Sequence, residues 1–267
     1  RPPPCIDTPP KLATPAKKMW ATQPKNPWSR DIHWIRGTGK TEFDNIMDPK
    51  KAQFNQPEIA AMLQQVVVDW AYKDKIAPTS ADMTGGANQL QTGNTAMRYD
   101  GPWFFPSLNS QKLRDDKKNV EFDVVLMPKQ ADGSRPHRGW SEGIAVLKNN
   151  NIEGGWSLAN YFSGEEGQKI YATNTGRIPS IQKLVNDWWI PTVADAGFGV
   201  KNGKAFIEAN KNTQLDVVSG IPRSKMWAEV VKPTAYDPMV AGTKKASEVL
   251  ADVAAKLNKL LDENWAA

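Results

Sequence analysis

Apolar residues recur at helical spacing in two well-separated parts of the chain. The later part lies between about residues 245 and 264, and the earlier one begins near Asn55 or Gln56, either of which can cap a helix that continues through Pro57. Such spacing places the apolar side chains on one face, which then packs against the rest of the protein. Each pattern therefore predicts an amphipathic helix, the earlier one ending by Pro78. The apolar positions are Ile59, Met62, Leu63, Val66 and Trp70 in the earlier helix, and Val249, Leu250, Val253, Leu257, Leu260 and Leu261 in the later one.

Shorter apolar runs predict strands at three places. The first run, residues 96–99, ends at a turn, and the others are Phe122–Met127 and Ile144–Leu147. Runs of this length that are bounded by turn residues are typical of strands. Together with the helices they predict an α/β protein.

Further helices are predicted between these runs and the C-terminus. Residues 153–162 indicate one helix, and Ser163 with Glu166 three positions later forms a capping-box pattern for the next. The opening segment, residues 1–16, is rich in proline and predicts an irregular chain. Its prolines are Pro2, Pro3, Pro4, Pro9, Pro10 and Pro15.

Charge and composition exclude several classes of protein. The 267 residues carry a formal net charge of +5, but 34 Lys and Arg are interspersed with 29 Asp and Glu, so we predict no nucleic-acid partner. No apolar run is long enough for a membrane helix. A single cysteine, Cys5, allows no disulfide within the chain. Because no charged-then-apolar segment opens the sequence, we expect that a signal was removed or that the chain begins after one.

Residues suited to catalysis are few. Two histidines, His33 and His137, are too few for a His-based metal cluster, and the spacing His-Glu-x-x-His does not occur. We therefore predict neither a metal nor a cofactor. A carboxylate pair for glycoside hydrolysis needs only spatial proximity, so Asp100 and Glu142 stay open as such a pair.

Ligand binding is the stronger hypothesis, because the chain has eleven Trp. Sugars present C–H faces that stack on aromatic rings, and hydroxyls that need hydrogen-bond donors and acceptors. In the central stretch 93–105, Asp100-Gly101-Pro102 breaks an apolar run and presents Trp103 with two Phe residues. We expect Trp70, Trp156 and Trp188 to be core residues instead.

Four motifs occur in a fixed order within roughly residues 30 to 265. They are Asn-Thr-Ala-Met followed by Asp-Gly-Pro-Trp (residues 94–103), Gly-Trp-Ser-Glu-Gly-Ile-Ala-Val (139–146), Tyr-Phe-Ser-Gly-Glu-Glu-Gly-Gln-Lys-Ile-Tyr (161–171) and Gly-Arg-Ile-Pro (176–179). In this order and spacing they resemble family 1 extracellular solute-binding proteins. These are the sugar-capturing subunits of ABC importers, and maltose-binding protein is a familiar member.

The resemblance implies an α/β fold of the class II periplasmic-binding type, two-lobed, with one lobe incomplete in this chain. It implies that residues 17–103 and 149–267 form the two parts of a C-terminal-type lobe. Residues 104–148 would be a fragment of an N-terminal-type lobe. In such proteins the lobes close over the ligand by a hinge motion.

The function implied is capture of a mono- or oligosaccharide in the bacterial periplasm or outside the cell, and its delivery to the transmembrane subunits of an ABC permease, without catalysis. Two alternatives stay open: a truncated relative that acts as an interaction module through its exposed strand edges, and the carbohydrate-active enzyme described above. The ligand-binding residues that the resemblance implies are Trp34, Tyr99, Asp100, Trp103, Trp140, Glu142, Arg177 and Trp227.

Overall fold

Two compact units make up the chain in the computed structural model, which describes residues 13–23, 32–83, 90–130, 133–139, 142–148, 150–217 and 219–265. The first unit consists of the described residues within Arg1–Tyr99, Met127–Gly139 and Ala209–Ala267. The second unit consists of those within Asp100–Leu126 and Trp140–Glu208. Each unit is therefore built from segments that lie far apart in the sequence.

Short strands and helices alternate along the described chain. The strands are β1 (Trp20–Thr22), β2 (Thr95–Met97), β3 (His137–Gly139) and β4 (Thr213–Leu215). The α-helices are α1 (His33–Arg36), α2 (Pro57–Leu63), α3 (Trp70–Tyr72), α4 (Phe105–Asn109), α5 (Gln111–Asp115), α6 (Ile152–Ser163), α7 (Glu165–Thr175), α8 (Gln182–Leu184), α9 (Ala205–Asn210), α10 (Arg223–Lys225), α11 (Asp237–Val240) and α12 (Ala246–Trp265). Wider π-type turns occupy Gln64–Asp69, Val185–Gly197 and Met226–Tyr236, and 3₁₀ turns occupy Pro15–Lys17 and Pro102–Phe104.

The long helix α12 is the main packing element of the first unit. It lies against the π-helical segment Met226–Tyr236 and against α2. Burying a leucine or valine side chain stabilises a fold by about 1.5–3 kcal/mol, so one apolar face supplies much of the stability of this core. The predicted final helix is confirmed, because all six of its predicted apolar residues are buried: Val249, Leu250, Val253, Leu257, Leu260 and Leu261.

The earlier predicted helix is also confirmed, although its geometry is less regular. The helices α2 and α3 are joined without a break by the π-helical segment Gln64–Asp69. Proline at its first position suits a helix start, since that residue needs no hydrogen-bond acceptor for an N–H group. The buried side chains Ile59, Leu63, Val66 and Trp70 hold this helix in the first unit.

All four strands belong to the first unit and form two parallel pairs. In β1–β2, Trp20 lies opposite Thr95, and in β3–β4, His137 lies opposite Thr213. Strands of three residues provide few ladder hydrogen bonds, so side chains must help to fix the second pair. Arg36 donates to the backbone oxygen of Leu215 at 2.5 Å.

The second unit is mainly helical in its described part. Asn151 caps α6 by accepting a hydrogen bond from the Gly154 N–H group at 3.1 Å. The capping box predicted from Ser163 and Glu166 is wrong, because Ser163 ends α6 and Gly164 is the N-cap residue of α7 without a side-chain hydrogen bond. The core of this unit contains Phe105, Ala172, Trp189, Val193, Ala194, Phe198 and Val200.

Two of the three predicted strands are absent. Residues 122–127 and 144–147 have no strand structure, whereas β2 confirms the run that leads toward Tyr99. Phe122 and Val124 pack against the core of the second unit, but Val125 is 81% exposed. A strand needs a neighbour that satisfies its backbone groups, and none pairs with these runs among the described residues. The strand-like apolar pattern of these two runs is therefore not sufficient for them to form strands.

Candidate functional site

Trp103 lies in a compact turn of the second unit. The turn is a 3₁₀ segment, Pro102–Phe104, in which the Phe104 N–H group donates to the Gly101 oxygen at 3.0 Å. The Trp103 ring folds back against Gly101 so closely that a Cβ atom on Gly101 would overlap it. The glycine in Asp-Gly-Pro-Trp is therefore required by a side chain two residues later, and it leaves the indole half-buried.

Arg177 is positioned next to this turn by the glycine before it. Gly176 ends α7 in the left-handed region with φ of 74°, and a Cβ atom at this position would collide with the backbone oxygen of Pro102. The fully buried Trp189 donates its indole N–H to the Gly176 oxygen at 3.2 Å. Contacts to the backbone of Gly176 thus fix the point from which the Arg177 side chain emerges. Its guanidinium carbon lies 5.9 Å from the centre of the Trp103 ring.

Glu142 completes a group of four side chains with Tyr171. Arg177 Nη1 forms an ion pair with one carboxylate oxygen of Glu142, and the Tyr171 hydroxyl donates to the other at 2.9 Å. The guanidinium carbon of Arg177 is also 5.9 Å from the Tyr171 ring, so two aromatic rings flank the cation. We call Trp103, Glu142, Tyr171 and Arg177 the second-unit cluster.

The second-unit cluster offers an apolar ring face beside charged hydrogen-bonding groups. The side chains of Arg177 and Glu142 are 28% and 42% exposed, so solvent or a ligand can reach them. The pKa of Tyr171 is raised, first by burial and then by its hydrogen bond to Glu142, which keeps the phenol protonated as a donor. The sequence motifs predicted Trp103, Glu142 and Arg177. Tyr171, the last residue of the motif 161–171, was not predicted as a binding residue.

A second aromatic group lies in the first unit. The ring centre of His33 is 4.8 Å from that of Trp34 and 4.0 Å from that of Tyr99. Trp34 meets Trp70 edge to face at 5.2 Å, and the Tyr99 hydroxyl accepts a hydrogen bond from the Arg138 N–H group at 3.3 Å. The structure therefore links the two predicted residues Trp34 and Tyr99 through a histidine that sequence reasoning did not select.

His33 is buried, with its ring close to those of Trp34 and Tyr99. Burial, and secondarily the nearby His137, lowers the pKa of His33 well below its ordinary value. Neither ring nitrogen of His33 has a hydrogen-bond partner among the described residues. The pKa of His137 is also lowered by burial, and its ring is held by the Arg135 oxygen at 2.7 Å and by the Met127 N–H group at 3.2 Å. Across the part of the chain that the structure describes, no group of three or more metal-binding side chains occurs.

Three predicted site residues remain: Asp100, Trp227 and Trp140. Asp100 accepts a hydrogen bond from the Gly101 N–H group at 3.0 Å. Trp227 packs against the core around α12, with its ring 4.8 Å from that of Tyr236. Trp140 lies outside the described residues.

The sequence of residues 139–143 matches Gly-x-Ser-x-Gly, the pattern of a nucleophile elbow. That elbow needs a strand before the serine and a helix directly after it. A strand, β3, does end at Gly139, but residues 142–148 contain no helix. The pattern therefore lacks the backbone context of a serine hydrolase, and Glu142 within it contacts Arg177 and Tyr171 instead.

Known structures share this fold. An ABC substrate-binding protein from Listeria monocytogenes in complex with cycloalternan has a TM-score of 0.74 and 19% identity, and the match covers 96% of this chain and 62% of that one. A maltose-bound protein from T. maritima has a TM-score of 0.72 and 17% identity, and the match covers 96% of this chain and 64% of that one. An ABC transporter solute-binding protein from Agrobacterium radiobacter K84 in complex with ribitol has a TM-score of 0.69 and 16% identity, and the match covers 96% of this chain and 63% of that one.

The comparisons confirm the predicted two-lobed, periplasmic-binding-protein-like α/β fold, of which this chain represents a part. The chain spans less than two thirds of the length of these three structures, 62% to 64%. No helix in the described part is both long and apolar enough to span a bilayer. Comparison with curated proteins gives no match. A family profile described as bacterial extracellular solute-binding protein matches residues 7–197, which is more than half of the chain, and the protein therefore belongs to that family.

Proposed function

We propose that the chain takes part in the reversible capture of a carbohydrate or a related polyol outside the bacterial cytoplasm, for delivery to the transmembrane subunits of an ABC importer. The observation that carries this proposal is the second-unit cluster, in which a half-buried indole adjoins an exposed ion pair. Membership of an extracellular solute-binding family supports it.

The chemistry of the second-unit cluster suits a polyhydroxylated ligand. The Trp103 ring can stack on a C–H face, while Arg177 has further N–H donors and Glu142 has further lone pairs for hydroxyl groups. Such a combination of one aromatic wall and a few convergent polar groups is typical of small-molecule sites. The structural relatives described above are complexes with cycloalternan, maltose and ribitol, which are all uncharged polyhydroxy compounds. These ligands define the first panel to test.

In the first unit, taken by itself, Trp34 and Tyr99 are proposed ligand-binding residues. Trp34 and Tyr99 present partly exposed rings that are held by the buried His33. We include Asp100, Trp140 and Trp227 in the proposed set on the resemblance of their motifs alone. The assignment of residues 17–103 and 149–267 to one lobe and of 104–148 to the other stays a prediction.

Binding without chemical conversion is part of the proposal. Both carboxylate oxygens of Glu142 are engaged, one by Arg177 and one by Tyr171, which leaves this group poorly placed to transfer a proton. If the chain were instead a glycosidase, maltotriose would be cleaved, and cleavage would fall in Asp100→Asn and Glu142→Gln. Chromatography of maltotriose after incubation with the protein is expected to show no products.

Isothermal titration of the 267-residue chain with maltose, maltotriose and ribitol tests the binding itself. We expect saturable binding of at least one ligand. Trp103→Ala is expected to weaken binding about tenfold or more, since a buried aromatic contact contributes about 1.4 kcal/mol or more at a binding site. Trp156→Ala is the matched control, because Trp156 is a 55% exposed indole on α6 of the same unit. A folded protein that binds none of the panel, or an equal loss in both variants, contradicts the proposal.

A further inference from the structure

The carboxylate of Glu142 is the counter-ion of Arg177 within the second-unit cluster. Arg177 Nη1 contacts Glu142, and the Tyr171 hydroxyl holds the second carboxylate oxygen at 2.9 Å. These two contacts orient the carboxylate toward the guanidinium. The positive charge that the two rings flank is thus already matched by a negative charge from the same chain.

An arginine beside aromatic rings, with no acidic partner, is a typical site for a ligand carboxylate or phosphate, which it binds through paired hydrogen bonds. Here an anionic ligand would have to displace Glu142 from Arg177, or place a second negative charge beside it. Hydroxyl groups meet no such obstacle. They can accept from the remaining guanidinium N–H groups and donate to the remaining lone pairs of the carboxylate.

Resting on the proposed function, we propose that Glu142 is a specificity-determining residue which makes the second-unit cluster selective for uncharged polyhydroxy ligands over acidic sugars. The ligand class is therefore neutral sugars and alditols, and aldonic or uronic acids are rejected. Arg177 contributes hydrogen bonds to the ligand without attracting anions.

Matched pairs of ligands that differ by one carboxylate test this proposal. Maltitol is compared with maltobionate, and ribitol with ribonate, by isothermal titration against the 267-residue chain; within each pair only a CH2OH group is replaced by a carboxylate. The wild type is expected to bind the neutral member about tenfold or more tightly, a ratio that corresponds to about 1.4 kcal/mol. In Glu142→Gln, which removes the negative charge beside Arg177, binding of the acid relative to the neutral ligand is expected to improve by about tenfold, and added salt should weaken that gain.

Two further variants separate the role of Glu142 from a general charge effect. Glu165→Gln removes another carboxylate of the second unit, one paired with Lys169 and Lys183 on the surface, and should leave the preference unchanged. In the double variant Glu142→Gln with Arg177→Gln, the gain for the acid should disappear. Circular dichroism establishes that each variant is folded.

The possible results are distinct. A wild type that binds acids as tightly as neutral ligands, or a preference that Glu142→Gln does not change, overturns the inference while carbohydrate binding stands. An equal shift in Glu165→Gln also overturns it, because the effect would then be one of net charge. If a folded wild type binds neither member of either pair, the proposed function fails, and the inference fails with it.

Discussion

Removing the carboxylate of Glu42 is expected to destabilise the first unit by about 3–5 kcal/mol, the usual cost of breaking a buried ion pair from one side. Arg36 donates Nε–H to Glu42 at 3.2 Å and Nη2–H at 2.7 Å, and the two side chains are only 2% and 4% exposed. In Glu42→Ala the Arg36 guanidinium keeps its hydrogen bonds to the Leu215 backbone oxygen and the Gln214 side-chain oxygen, but it loses its counter-ion. The cost arises chiefly from this unmatched buried charge.

Urea unfolding followed by far-ultraviolet circular dichroism measures the effect. The matched control is Glu58→Ala, since Lys40 and Glu58 form an ion pair of 3.5 Å whose side chains are 40% and 49% exposed. Exposed pairs contribute about 0–1 kcal/mol, so this variant should unfold almost like the wild type. The double variant Arg36→Met with Glu42→Leu should lose less stability than Glu42→Ala, because no unpaired charge remains. A Glu42→Ala protein as stable as Glu58→Ala would refute the reasoning.

Two further predictions concern single residues. Gly176→Ala should lower the free energy of unfolding by about 1–3 kcal/mol, because alanine is strained at φ of 74° and its Cβ atom meets the Pro102 oxygen. Thermal unfolding measures this loss, and Gly143→Ala is the control, since a Cβ atom there has open space. A loss no larger than that of the control would contradict the prediction. The lowered pKa of His33 means that the unfolded chain binds a proton more readily than the folded one. The free energy of unfolding should therefore fall by about 1.4 kcal/mol for each pH unit below about 6.5, down to the folded pKa. Urea unfolding at several pH values measures this free energy, which should depend less steeply on pH in His33→Phe than in the wild type. Equal pH dependence in the two proteins would exclude this role of His33.

Local patterns predicted the helices well and the strands poorly. The apolar faces of α12 and of the helix from Pro57 to Tyr72 repeat within one element, so the sequence of that element is sufficient. A strand also depends on a partner from elsewhere in the chain. That requirement explains why residues 122–127 and 144–147 have strand-like sequences without forming strands, and composition alone likewise misplaced Trp156 in the core.

Three of the four residues of the second-unit cluster were predicted as site residues from the sequence, but their arrangement was not. Family-like motifs indicated Trp103, Glu142 and Arg177, which the structure brings together in one unit. Their order along the chain gives no sign that Glu142 pairs with Arg177, or that Tyr171 joins them. Those contacts depend on how α7 ends and on where residue 142 passes it, and both are consequences of tertiary packing.

The anchoring of Gly176 by Trp189 also bears on how ligand preference can evolve. Trp189 is fully buried and its indole N–H holds the backbone from which Arg177 emerges. Because that hydrogen bond forms when the chain folds, the backbone before Arg177 would lose little conformational freedom when a ligand binds at the proposed site. Under the proposed function, substitutions at this fully buried core position are therefore expected to change affinity by loosening the anchor. A library restricted to exposed residues would leave out such positions, and directed evolution of new ligand preferences should include them.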